Sequence, residues 1–169
     1  MKKIILLLGC FYISLLHAKD YSLAKAKAEY TVKHLFKTVK GESNDLKGKM
    51  VCEKQSCEFL VAIASKSFVS SDSNRDLNLQ MLIEVTKYPF ITVKGTVVEN
   101  DLLKNDFVIK SLVNFHGVEK EYNLKINKKE SYSGSFSIQL DNHQIERPSL
   151  LMAKIENDVP INVSFEWKE

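Results

Sequence analysis

The chain has 169 residues, 44% of them hydrophobic, with 24 basic and 21 acidic side chains and a formal net charge of +3. Setting aside Lys2 and Lys3, which fall in an N-terminal targeting segment, leaves 22 basic against 21 acidic residues. That balance gives no electrostatic case for binding nucleic acid or an anionic membrane, and roughly 150 residues suffice for one domain with its own core.

The chain opens with Lys2 and Lys3, an apolar run from Ile4 to Leu16, and Leu16-His17-Ala18 as a cleavage site. This is the layout of a secretory leader cut after Ala18, so residues 1–18 are set apart from a domain over 19–169 and the product is expected to be periplasmic or secreted. Leu7-Leu8-Gly9-Cys10 imitates a lipoprotein box, but the apolar run continues past Cys10, and lipidation there is not expected. No later apolar stretch approaches roughly 18 residues, so no stable membrane insertion is expected.

From Ala24 the chain alternates, with Ala24, Ala26, Ala28, Tyr30 and Val32 on one side and Lys25, Lys27, Glu29, Thr31 and Lys33 on the other. Period two marks a half-buried strand, although Ala, Lys and Glu are good helix formers and a helix is the rival over Ala24–Glu29. Leu46, Gly48, Met50 and Cys52 continue the pattern, and Cys57, Phe59, Val61 and Ile63 resume it. Loss of the leader removes Cys10 and leaves Cys52 and Cys57 on either side of a short turn. In an oxidising compartment they can bridge a hairpin; the alternatives are two buried thiols or half of a metal site, for which no nearby His or Cys completes a zinc set.

Ser73 and Asp76 have the spacing of a capping box, and Leu79, Leu82 and Ile83 follow at helical intervals. Pro89 forces the residue before it toward extended geometry and ends the helical reading. Phe90–Val97 has the β-branched and aromatic character of a strand. Four more alternating runs follow: Phe107 to Phe115, Lys120 to Ile126, Tyr132 to Leu140, and Val159 to Trp167. Their connections at Glu99-Asn100-Asp101, His116-Gly117-Val118 and Asn127–Ser131 are short and polar, which favours antiparallel neighbours. The expected fold is all-β: eight antiparallel strands closed into a barrel, with a short helix in the long connection before Pro89. A two-sheet sandwich fits the same pattern.

Four segments in order carry a family likeness. They are Tyr30-Thr31-Val32-Lys33-His34-Leu35 with Gly41 beyond it, Arg75-Asp76-Leu77-Asn78-Leu79, Lys87-Tyr88-Pro89, and His116-Gly117-Val118-Glu119. Together they resemble the YceI-like family of secreted, lipocalin-like proteins that bind polyisoprenoids and lipids. Asn78 stands where many members have His, and Glu119 where many have Thr. The resemblance implies an antiparallel barrel around a long apolar tunnel that holds a lipid or isoprenoid chain, with no cofactor and no catalytic group. The candidate lining is then Tyr30, Phe59, Val61, Phe107, Phe115, Tyr122, Phe136 and Phe165, with Ala24, Ala26, Ala28, Gly48 and Gly134 leaving room among them.

The polar candidates divide between two roles. His34 and His116 sit at strand ends, where an imidazole can satisfy backbone left over by a turn; alternatively, with Arg75, they meet a polar or phosphate head group at the barrel mouth. Arg75 and Asp76 also suit a buried ion pair that fixes the helix-bearing loop. Asp72–Asp76 imitates the opening of a calcium loop, but Leu77 occupies its glycine position and Ile83 that of the bidentate acid, so no metal is expected. Asn162-Val163-Ser164 is a glycosylation sequon only in a eukaryotic secretory path. No nucleophile stands with a base and an orienting acid. Binding is therefore expected over catalysis, the rivals being an interaction module on a filled barrel and a lipid-modifying enzyme, and a dimer is one candidate assembly.

Overall fold

Residues that alternate in sequence alternate in space only if a neighbouring strand satisfies their backbone, and here each alternating run finds one on both sides. A computed structural model of the chain describes residues 18–34, 37–150 and 153–169. Residues 1–17 of the expected leader, including Cys10, and Leu35 of the first motif lie outside the described residues. The elements are β1 (Lys19–His34), β2 (Lys37–Ser43), β3 (Leu46–Glu53), β4 (Ser56–Ala64), α1 (Ser73–Leu82), β5 (Phe90–Val98), β6 (Asp106–Phe115), β7 (Val118–Lys128), β8 (Tyr132–Gln139), β9 (Ser149–Leu150), β10 (Ala153–Lys154) and β11 (Asp158–Lys168).

The strand order β11-β8-β7-β6-β5-β4-β3-β1 closes on itself because β11 also pairs with β1, from Ser22 opposite Lys168 to Tyr30 opposite Ile161. The result is an eight-stranded antiparallel barrel. β2 and β3 share one edge of β1, β2 along Ala28–His34 and β3 along Lys19–Ser22. They form one strand broken at Asn44-Asp45, and β2, rich in Lys, escaped the apolar pattern. β9 and β10 make a separate two-stranded hairpin.

β1 is a strand throughout, which settles the helix rival over Ala24–Glu29. The expected inward placement of Ala24 is wrong, because the β1–β11 register slips between Leu23 and Lys25. Leu23 and Ala26 face inward on either side of this irregularity, and Ala24 is exposed.

The barrel has two unlike ends. At the cysteine end, β3 and β4 meet through Lys54 and Gln55, both in the left-handed region (φ 49° and 75°), and Cys52 is disulfide-bonded to Cys57. A two-residue turn with both φ positive matches the right-handed twist of its strands. At the helix end, His116 and Gly117 (φ 53° and 75°) make the same kind of turn between β6 and β7.

Helix α1 differs in detail from its capping-box reading. Asp72, not Ser73, is the N-cap, accepting from the backbone N–H groups of Asn74 and Arg75. Asp76 instead accepts from Ser70, from its backbone N–H at 2.8 Å and its hydroxyl at 2.6 Å. The helix ends at Leu82, well before Pro89. There Glu84 turns left-handed (φ 47°) while its N–H donates to Met81 and that of Val85 to Gln80, the bond pattern of a Schellman motif.

Two apolar clusters fill the ends. One, around Ile63, Phe68, Ile83, Val113, Leu140 and Ile145, underlies the helix; the other, around Met50, Val97, Ile109, Leu124 and Ile126, lies near the disulfide.

Candidate functional site

Inward positions on all eight barrel strands converge on the axis, yet several large ones are incompletely covered. Phe59, Phe107, Phe136 and Phe165 are only half-buried although period-two geometry turns them away from the outer surface. The reason is a cavity of about 110 Å³ between them. Its lining runs from Ile63 and Phe68 at the helix end to Leu102, Tyr132 and Trp167 at the other, so the space is a narrow channel. Apart from Ser164, the Tyr132 hydroxyl and the Trp167 indole, the lining side chains are hydrocarbon or thioether. An apolar space without polar partners does not hold ordered water well.

Of the residues read from the sequence as lining, Phe59, Val61, Phe107, Phe136 and Phe165 border this channel, as do Ala26 and Ala28. Gly48 and Gly134 do not leave free room. A Cβ at Gly48 would meet Val61 and Trp167, and one at Gly134 would lie 2.8 Å from Val163. Tyr30, Phe115 and Tyr122 stand outside the lining. Tyr30 packs on Phe68 with its ring directly beneath Gly41. Phe115 and Tyr122 belong to a polar seal at the helix end.

The centre of that seal is His143, which is fully buried. Its Nδ1 lies 3.1 Å from the carbonyl oxygens of both Phe115 and Val118. Carbonyls only accept, so Nδ1 carries the proton, and in the neutral ring Nε2 accepts from the Tyr122 hydroxyl at 2.7 Å. Burial holds the His143 pKa below its ordinary 6.5, with Lys120 and His116 pushing the same way against the two backbone bonds. Burial likewise pushes the Tyr122 phenol up. Nothing in the sequence singled out His143, because the segment around it has no periodicity. Arg147, also unforeseen, holds the same segment through the Asp141 carboxylate at 2.9 Å and the Ile155 carbonyl at 3.0 Å.

The three polar head-group candidates all lie at this sealed end, and none borders the channel. His34 Nε2 donates to the Ala153 carbonyl at 3.1 Å. His116 lies between the His143 carbonyl (3.1 Å) and Glu84 (2.9 Å). Arg75 is half-exposed and pairs with Asp72 at 3.6 Å. The expected buried ion pair between Arg75 and Asp76 does not form, because Asp76 is committed to Ser70. Among the described residues no cluster of His, Cys, Asp and Glu is arranged to hold a metal, and no helix is long and apolar enough to cross a membrane.

A closed antiparallel barrel around a hydrocarbon-lined channel defines the protein as lipocalin-like in architecture. The chain belongs to the YceI-like domain family, whose model matches residues 21–167. Similar solved structures include a polyisoprenoid-binding domain from Saccharophagus degradans implicated in plant cell wall breakdown (15% identity, 88% of this chain and 97% of that one, TM-score 0.70). BcnA of Burkholderia cenocepacia is also similar (11%, 85% and 96%, 0.67), as is the YceI protein of Campylobacter jejuni (17%, 81% and 90%, 0.61). At these identities the likeness establishes the fold. No curated protein matches the chain.

Proposed function

We propose that this protein is a periplasmic or secreted carrier or store for a single-chain apolar ligand, a polyisoprenoid or lipid, held in the barrel channel. The observation that carries this reading is the channel lining, hydrocarbon over nearly its whole length. At about 0.8 kcal/mol per buried CH₂, ten methylenes contribute roughly 8 kcal/mol before ordering costs, enough for useful affinity. A volume of only about 110 Å³ bordered by residues from both ends of the barrel favours a slender chain over a compact ring system. The ligand named for the Saccharophagus degradans domain is of this class, and the Cys52–Cys57 disulfide suits an oxidising compartment. Membership of the YceI-like family and the likeness to a polyisoprenoid-binding domain support binding over turnover.

Organic-solvent extraction of the purified protein, followed by mass spectrometry, tests the reading. A long-chain lipid or isoprenoid recovered in stoichiometric amount is the expected result. An empty extract from protein that also takes up no added lipid would overturn it.

A further inference from the structure

The two ends of the channel differ in how they are closed. At the helix end, Phe68, Ile83, Leu140 and Ile145 are each more than nine-tenths buried. The segment above them is tied down by Leu140 to Asn157, Ile155 to Pro148 and Glu156 to Lys33. At the cysteine end, a single short turn of 3-10 helix, Glu99–Leu103, reaches over the opening, and it contains no buried residue. Leu102 dips into the channel while its neighbour Leu103 is 78% exposed.

That turn is held by few contacts. Glu99 accepts from Lys19 at 2.8 Å across the opening, and its backbone N–H donates to the Gln55 carbonyl at 2.8 Å. The Leu102 carbonyl accepts from Lys128 Nζ at 2.8 Å and from the Tyr132 hydroxyl at 3.3 Å. Two side-chain donors thus converge on one oxygen. Lys128 pairs with no carboxylate among the described residues, unlike Lys19 and Lys104 nearby. Its ammonium sits 5.1 Å over the Tyr132 ring, whose other neighbour is the stacked Phe165 of the channel wall. Lys128 Nζ therefore stands where the hydrocarbon lining ends and water begins.

Building on the lipid-carrier reading, we propose that ligands pass through the end covered by Glu99–Leu103, and that an oxyanion head group, carboxylate or phosphate, docks on Lys128 Nζ and the Tyr132 hydroxyl. The chain then points toward the sealed helix end. Displacing Leu102 uncovers the channel and frees both donors at once, so the head group takes over the bonds that the Leu102 carbonyl releases. Substituting a charged acceptor for a neutral carbonyl strengthens the lysine bond.

The protein's single tryptophan, Trp167, borders the channel at this end and reports ligand orientation. Delipidated protein is titrated with a fatty acid brominated beside its carboxyl group and with the isomer brominated at the chain terminus. The expected result is stronger quenching of Trp167 by the first. Stronger quenching by the second overturns the orientation while leaving the carrier reading intact, and no quenching by either overturns the carrier reading.

Lys128→Ala is expected to weaken the fatty acid by about tenfold, the scale of one hydrogen bond to a charged group, and to spare the alcohol of equal length. Equal weakening of acid and alcohol would assign Lys128 to holding the turn and overturn the head-group contact. If Lys128→Ala does not fold, the acid-against-alcohol affinity of the unaltered protein serves instead: a preference for the acid supports the contact, and none overturns it. Competition by a prenyl phosphate against the bound acid, with inorganic phosphate as control, separates the two oxyanion sources.

Discussion

Tyr88 lies against Gly117 so closely that a Cβ on the glycine would fall 2.6 Å from Tyr88 Cε1, and the same ring packs on the His116 imidazole at 4.6 Å between centroids. Two of the family motifs, Lys87-Tyr88-Pro89 and His116-Gly117-Val118, are therefore one contact in space. The first brings the chain from α1 into β5, and the second turns β6 into β7. Their joint role is to seat the helical connection on the barrel end.

Gly117→Ala tests that contact. It adds a methyl group against Tyr88 at a backbone position (φ 75°) that side chains rarely adopt. Urea denaturation should show a loss of about 2 kcal/mol. A loss under a few tenths would mean that the tyrosine ring moves freely away.

His143 supplies a pH dependence. Its folded pKa lies below the ordinary 6.5, so between those two values the unfolded chain binds more protons than the native one. Stability is then fully present above about pH 6.5 and falls as pH drops toward the folded pKa. Urea midpoints compared at pH 7.5 and pH 5 should fall in the native protein, and the fall should be smaller in His143→Gln. An equal fall in both would place the dependence elsewhere.

At the cysteine turn, Lys54 and Gln55 both adopt left-handed backbone that side chains resist. Replacing them by Asn and Gly should stabilise the protein by about 1 kcal/mol. Reducing the Cys52–Cys57 bond should cost about 2 kcal/mol on the chain-entropy model for so short a loop. Thermal denaturation with and without reductant measures both effects, and a destabilised Asn-Gly variant would contradict the first.

Ala26 borders the channel and is half-buried, so Ala26→Phe places a ring in the path proposed for the ligand. Lipid recovered by solvent extraction should fall at least about tenfold with the circular dichroism of the barrel unchanged, since overpacking typically costs only about 1–3 kcal/mol. Undiminished lipid in a folded variant would show that the ligand lies elsewhere.

The barrel was legible because half-buried antiparallel strands must alternate, and eight runs did so. β2 was hidden by its lysines and by the break at Asn44-Asp45. Ala24 was misplaced because the pattern looks the same on both sides of a one-residue slip, and only the partner strand reveals it. Aromatic residues could be assigned to the interior, but whether each faced open space or a neighbour depended on which of them met: Tyr122 turned to His143, and Trp167 lay beside Gly48. His143 acts through the backbone carbonyls of Phe115 and Val118 on the β6–β7 hairpin, and such distant partners leave no trace in local spacing. Arg147 bonds to Asp141 and Ile155 within its own segment, which has no periodicity to mark them. Arg75 and Asp76 were adjacent in sequence, yet Asp72 and Ser70 offered each a better geometry.

The seam between β1 and β11 joins residues 22–30 to residues 161–168. A chain still lacking its last strand has two bare sheet edges and an interior open along one side, exposed to pairing with other chains. Because this closing contact spans most of the sequence, it also bears the largest loop-closure cost of the fold and belongs late in folding. The enclosed apolar channel thus arises only when β11 docks, and a chain short of that strand has no interior to fill.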